Sequence, residues 1–222
     1  MNREAAIESA LSKYSKERYV FERFQNAVVD YFRTEPSLNS LESPEIHSIK
    51  SRLKDVGHLR DKLNRKWDDG VHIDGENIFS HITDLAGVRV LHLYQDQFPL
   101  IHQSILNQVK LGDWHFHESP KVYSWDPEAH EFFRALNLTP EIKPSYYTSI
   151  HYVLKPRSDA EVCCEVQVRT LFEEIWGEVD HKLNYPHPTE NIACKEQIRV
   201  LSKLVSTGTR LADSIFRTHN AS

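Results

Sequence analysis

No stretch of the 222 residues approaches the apolar length of a membrane span or of a signal-peptide core, so neither is expected. Cysteine is scarce. Cys163, Cys164 and Cys194 give neither an even disulfide framework nor a metal-ligand spacing. Cys163 and Cys164 also fall on opposite faces of a predicted strand, which argues against pairing them. A reducing cytoplasm is the expected setting. The 13 histidines lack the His-x-x-x-His pattern of zinc proteases. Positive charge is not in excess: the net charge of −5 argues against a general phosphate-backbone binder, while leaving room for a local basic pocket. Internal repeats and low-complexity tracts are missing too. What is left is an ordinary globular composition, 40% hydrophobic with only 7 glycines, in a length that favours one core with helical additions.

Apolar periodicity divides the chain. Residues 3–33 read as a helix, with Leu11, Tyr14, Phe21, Phe24, Val28 and Phe32 at roughly helical intervals. Residues 35–44 are a connector rich in turn formers. From Ile46 to Trp67 the helical spacing of Ile49, Leu53, Val56, Leu59 and Leu63 predicts a second helix. Arg52, Lys54 and Lys62 then fall on a broad face opposite the apolar one. The period changes at Asp84–Tyr94, where β-branched and aromatic residues predict a central strand entered through a turn. Residues 98–109 form a short helix. Residues 112–146 resist assignment, being aromatic, acidic and broken by prolines, with a helix at 127–136. Residues 147–155 and 161–170 read as a hairpin, followed by helices at 171–183 and 190–217. The sum is an α+β or α/β domain, a mixed sheet flanked by helices.

Chemistry concentrates in two adjoining stretches, Lys143-Pro-Ser-Tyr-Tyr-Thr-Ser-Ile-His151 and Cys164-Glu-Val-Gln-Val-Arg-Thr170. The second alternates: Val162, Cys164, Val166 and Val168 take one face, and Glu165, Gln167 and Arg169 the other. A carboxylate, an amide and a guanidinium thus lie about 7 Å apart in sequence along one side of a strand. Such a row suits a metal ion, a hydroxyl and a phosphate together. It also suits the solvated face of an antiparallel sheet.

Four separated motifs settle which reading to follow. Arg52-Leu-Lys54 with His58-Leu59 and Lys62, Asp84-Leu-Ala-Gly-Val-Arg89, Ser145-Tyr-Tyr147-Thr-Ser-Ile-His151, and Glu165-Val-Gln-Val-Arg-Thr170 with Trp176 and His181 occur in order. Together they resemble the synthetase domain of the RelA/SpoT family, the nucleotide pyrophosphokinases that make ppGpp and pppGpp. Each motif alone is weak; four in register are specific. The resemblance implies a nucleotidyltransferase-like synthetase fold with helical extensions: a single domain over 1–222, divided as an N-terminal helical region (1–45), a catalytic core (46–186) and a C-terminal helix (187–222). Nothing in the first 50 residues resembles the hydrolase domain of the long family members, so a small stand-alone synthetase is expected.

The same resemblance implies transfer of the β,γ-diphosphate of ATP to the 3′-hydroxyl of GDP or GTP, with AMP released. It assigns Asp84 and Glu165 to Mg²⁺ and to catalysis, Glu165 also activating the acceptor hydroxyl. Arg52, Lys54, Lys62 and Arg89 go to ATP, and Tyr147, His151 and Gln167 to the acceptor nucleotide, with Tyr147 stacking on its base. His181 is as readily a structural histidine. A homo-oligomer is possible, and no membrane partner is implied. Departures gather on the acceptor side: Tyr146 replaces the glycine before the stacking tyrosine, Thr148 replaces the following arginine, and the 112–144 segment is long and aromatic. Residues 171–181 also resemble toxin-type relatives that modify the 3′ end of tRNA, so tRNA or an adenine nucleotide is an alternative acceptor. A catalytically silent nucleotide-binding module is a third reading, which two intact metal carboxylates disfavour.

Overall fold

Asn2 opens the first helix of the computed structural model by accepting a hydrogen bond from the Ala5 N–H, and α1 runs Arg3–Thr34. The structure describes residues 2–185 and 188–221; the boundary expected at 186/187 falls outside these. After α1 come β1 (Ser48–Leu53), α2 (Val56–Asp68), α3 (Ile78–His81), β2 (Ala86–His92) and α4 (Phe98–Leu111). Next are β3 (His115–Tyr123), α5 (Pro127–Ala135), β4 (Pro140–Glu141), β5 (Ser149–Lys155) and β6 (Cys164–Thr170). Two helices, α6 (Leu171–Asn184) and α7 (Ile192–Asn220), complete the order. The six strands form one sheet in the order β1-β2-β6-β5-β3-β4. It is mixed: β2 runs parallel to β6 and β3 to β4, while the other pairs are antiparallel. The α+β expectation therefore holds. Among the described residues, no helix is long and apolar enough to cross a membrane.

Strand alternation divides the sheet's two faces. Val88, Val90, Ile150, Cys164, Val166 and Val168 enter the main core, where they join Tyr14, Phe21, Val28 and Phe32 of α1. Each such side chain contributes about 1.5–3 kcal/mol by leaving water. Gly87, Arg89, Glu165 and Gln167 point the other way. Helix α1 also fastens the backbone that carries these residues. Gln25 donates from Nε2 to the carbonyls of Arg52 (2.6 Å) and Gly87 (2.9 Å), and the Tyr14 hydroxyl donates to the Lys54 carbonyl (2.9 Å).

Three expectations need correction. The segment from 46 to 67 is not one helix. Residues 48–53 form β1, paired antiparallel with β2, and the helix begins only at Val56, where the Asp55 carboxylate caps the His58 N–H at 3.0 Å. Arg52 therefore sits on a strand and Lys54 in the turn after it. The second correction concerns residues 112–146, which contain β3 and β4 as well as the expected helix; Trp114 and Phe133 are buried in the main core. The third is smaller: the first hairpin strand begins at Ser149, so Tyr147 precedes it.

A second, smaller apolar cluster lies apart from the main core. Trp176 of α6 meets Ile198 and Val205 of α7, with Tyr147 and Leu201 packed against them. Trp176 also donates its indole N–H to the Ile198 carbonyl at 2.9 Å.

Candidate active site

Strand register lays the polar face out in rows. Lys50 of β1 is the register partner of Arg89 on β2, Arg89 of Gln167 on β6, and Gln167 of His151 on β5. The neighbouring row runs Arg52, Gly87, Glu165. Glycine at the centre of that row leaves an opening. A cleft of about 300 Å³ lies over it, lined by Lys50, Arg52, Asp84, Gly87, Arg89, Glu165, Gln167, Glu178 and His181 among others.

Asp84 enters this cleft from the turn before β2. Lys54 donates to one of its oxygens at 2.7 Å and Lys62 of α2 to the other at 2.9 Å. Burial works to raise this carboxyl, but the two ammonium groups outweigh it and hold the pKa at about 2. Arg52 is exposed and, among the described residues, makes no ion pair. It is a cation available to phosphate.

A chain of hydrogen bonds leads from Glu165 away from the cleft. Its Oε1 meets His151 Nδ1 at 2.9 Å and its Oε2 accepts from Gln167 Nε2 at 2.8 Å. His151 Nε2 lies 2.9 Å from the Tyr147 hydroxyl, which in turn accepts from Arg169 at 2.9 Å. These bonds are all satisfied when His151 carries its proton on Nδ1 and Tyr147 donates to Nε2. Burial is the largest single influence on Glu165 and opposes its ionisation, yet the contacts with His151 and Gln167 together outweigh it and leave its pKa below the usual carboxylate range. The Tyr147 ring packs edge-on to His151 and tilted against Trp176 and Tyr123.

Residue by residue, Asp84, Glu165, Arg52 and Arg89 meet in the cleft, with Lys54 and Lys62 behind Asp84. Tyr147, His151 and Gln167 form the adjoining ladder. His181 also lines the cleft, stacked on Tyr185 at 4.7 Å between ring centroids. Tyr146, in glycine's place, takes the left-handed backbone that glycine would supply, at φ 63°. Its ring stacks on Trp125 and its carbonyl accepts from Ser202 of α7, which hold the strained turn in place. Sequence reasoning missed Lys50, Glu174 and Glu178. Lys50 and Arg52 share a face only if 48–53 is a strand, and the helical reading hid that. The two glutamates lie on α6, where the sequence alone names no partner for them.

Two of the cleft's carboxylates, Asp84 and Glu165, are ligands of the kind a magnesium ion takes. Among the described residues, no three or more His, Cys, Asp or Glu gather to hold a metal on protein ligands alone. Mg²⁺ does not require that, because it commonly takes one or two carboxylates and completes its shell with phosphate oxygens and water.

Comparison with known proteins agrees with this fold. Small alarmone synthetase 1 of Bacillus subtilis superposes with a TM-score of 0.70 at 18% identity, over 95% of this chain and all of that one. The same enzyme bound to its product pppGpp gives 0.67 at 21% identity, over 94% and 96%. A GTP pyrophosphokinase family protein from Streptococcus pneumoniae gives 0.65 at 17%, over 91% and 90%. At these identities the likeness establishes the fold. GTP pyrophosphokinase YwaC of Bacillus subtilis is 28% identical over 145 residues, which span 63% of this chain and 59% of that relative. The sequence model of the region found in RelA and SpoT proteins matches residues 51–190, well over half of the chain. That span takes in the cationic turn, Asp84, the hydrogen-bonded ladder and the Glu165 strand, and the chain belongs to the RelA/SpoT family.

Proposed function

We propose that this chain is a nucleotide pyrophosphokinase that moves the β,γ-diphosphate of ATP onto the 3′-hydroxyl of GDP or GTP, making ppGpp or pppGpp and AMP. One observation carries the reading: Glu165 lies at the junction of a cation-lined cleft and a ladder that ends on an aromatic ring. The cleft suits a triphosphate and the ring suits a nucleobase, so the carboxylate stands where the two substrates meet.

The acceptor oxygen attacks the β-phosphorus, and the bond from that phosphorus to the oxygen bridging the α-phosphate breaks, its electron pair leaving with AMP. Lys50, Arg52 and Arg89 screen the charge that spreads over the phosphoryl oxygens. Glu165, kept ionised by His151 and Gln167, accepts a hydrogen bond from the attacking hydroxyl and takes its proton. A carboxylate of low pKa is a weak base, so orientation is its larger share. Mg²⁺ held by Asp84 and Glu165 would add electrostatic stabilisation of the transferring group. Lys54 and Lys62 keep Asp84 ionised and ready for that role. We place the reaction in the cytoplasm, in keeping with three free cysteines, two of them buried.

The test is incubation with γ-labelled ATP and Mg²⁺ against GDP, GTP and bulk tRNA. The expected result is labelled ppGpp or pppGpp with one AMP per turnover. ADP and phosphate as the only products would rule out diphosphate transfer, and label on tRNA alone would move the acceptor to nucleic acid.

A further inference from the structure

Three cations from three adjacent strands converge on one carboxylate that the reaction above does not use. Glu174 is 5% exposed. Its Oε1 accepts from Lys50 of β1 at 2.9 Å and from Arg89 of β2 at 3.0 Å, and its Oε2 from Arg169 of β6 at 3.3 Å. One partner would satisfy a structural ion pair. Three make this side chain a common ligand for which the cations compete.

The cations face different ways. Lys50 and Arg89 line the cleft. Arg169, 3% exposed, turns to the ladder and donates to the Tyr147 hydroxyl and to Gln167 Oε1. Glu174 is itself held firmly. Thr170 caps α6 by accepting from the Glu173 N–H, and Glu173 accepts from the Thr170 N–H at 2.7 Å, so the first turn is fixed against the end of β6.

Resting on the proposed reaction, we infer that Glu174 is a positioning residue that couples the two substrate subsites. Phosphate oxygens entering the cleft draw Lys50 and Arg89 toward themselves and loosen their hold on the carboxylate. The freed carboxylate then binds Arg169 more fully, closing the longest of the three contacts and fixing Tyr147 for the acceptor. By linkage the acceptor tightens ATP by the same factor. Among the described residues, Glu178 pairs with Arg89, at 2.6 Å, and makes no ion pair or hydrogen bond with Arg169.

The experiment measures GDP binding by calorimetry, with and without a non-hydrolysable α,β-methylene analogue of ATP, alongside kcat and both KM values. In the wild type the analogue should tighten GDP about fivefold or more. Glu174→Gln should bring that factor to one and lower kcat about tenfold or more. KM for ATP should stay level or fall, since two cations lose a competing anion. Glu174→Asp, a milder change should the first variant fold poorly, should reduce the factor without abolishing it, and Glu178→Gln should keep it. Melting temperatures separate these effects from loss of folded protein. An unchanged coupling factor in Glu174→Gln, or none in an active wild type, overturns the inference. Coupled binding without any AMP formed would instead overturn the proposed reaction and leave the role of Glu174 standing.

Discussion

At the residue scale, the proposed reaction requires an ionised Glu165 to hold the acceptor hydroxyl in line. Glu165→Gln keeps the shape and removes the charge. Turnover measured as AMP formation should fall by at least ~10²-fold, with the melting temperature nearly unchanged. Near-normal turnover would return Glu165 to the role of a solvated strand residue. Tyr147 separates two contributions. Tyr147→Ala should weaken acceptor use by ~1–3 kcal/mol, the worth of base stacking, while leaving ATP binding almost untouched. Tyr147→Phe keeps the ring but removes the hydroxyl that joins His151 to Arg169. It should hold KM for the acceptor near the wild-type value and lower kcat about 3–10-fold, a loss on the scale of one hydrogen bond. Equal loss of ATP binding and acceptor use in Tyr147→Ala would instead mark the ring as core.

At the element scale, the site depends on β1, β2 and β6 lying side by side with glycine at the centre of one row. A Cβ at Gly87 would meet the Arg52 and Glu165 carbonyls at 3.9 Å, ordinary contact distance, so the sheet tolerates it. The methyl groups of Gly87→Val would occupy the cleft floor. ATP affinity by calorimetry should fall about tenfold or more with the fold intact, and Gly87→Ala should do less. Tight ATP binding by a folded Gly87→Val protein would move the donor site off this cleft. The β5–β6 pair and its polar row were legible in the sequence because strict alternation admits one reading. Residues 48–53 were not. Ile49 and Leu53 are four apart, a spacing that shares a face on a strand as well as on a helix, so the series running on into α2 absorbed them. β3 was hidden for another reason: Pro120 lies where its register against β5 shifts, between Glu118 and Lys121, and a proline inside a run reads as an interruption. Glu174 was illegible because only the strand order brings Lys50, Arg89 and Arg169 to it.

At the scale of the whole molecule, the Asp84 ion pairs tie stability to acid pH. The folded pKa of about 2 lies below the ordinary 3.8, so the stabilisation is fully present above pH 3.8 and is lost as pH falls through about 2. Its size is roughly 2 kcal/mol. Urea midpoints between pH 5 and 2 should drop less steeply in Asp84→Asn than in the wild type; parallel curves would show that these pairs do not set the slope. The small cluster of Trp176, Ile198 and Val205 has a different consequence. Helix α7 meets α6 and Tyr147 through this thin apolar contact, separate from the main core. Such a segment opens at a lower free energy than the sheet, and its amides should exchange with deuterium well before those of β2 and β6. Tyr147 belongs to the same cluster, so a nucleotide resting on its ring should slow exchange along α7, tens of residues away in sequence, while ATP alone should slow it less. The far end of the chain would then report whether the acceptor is bound.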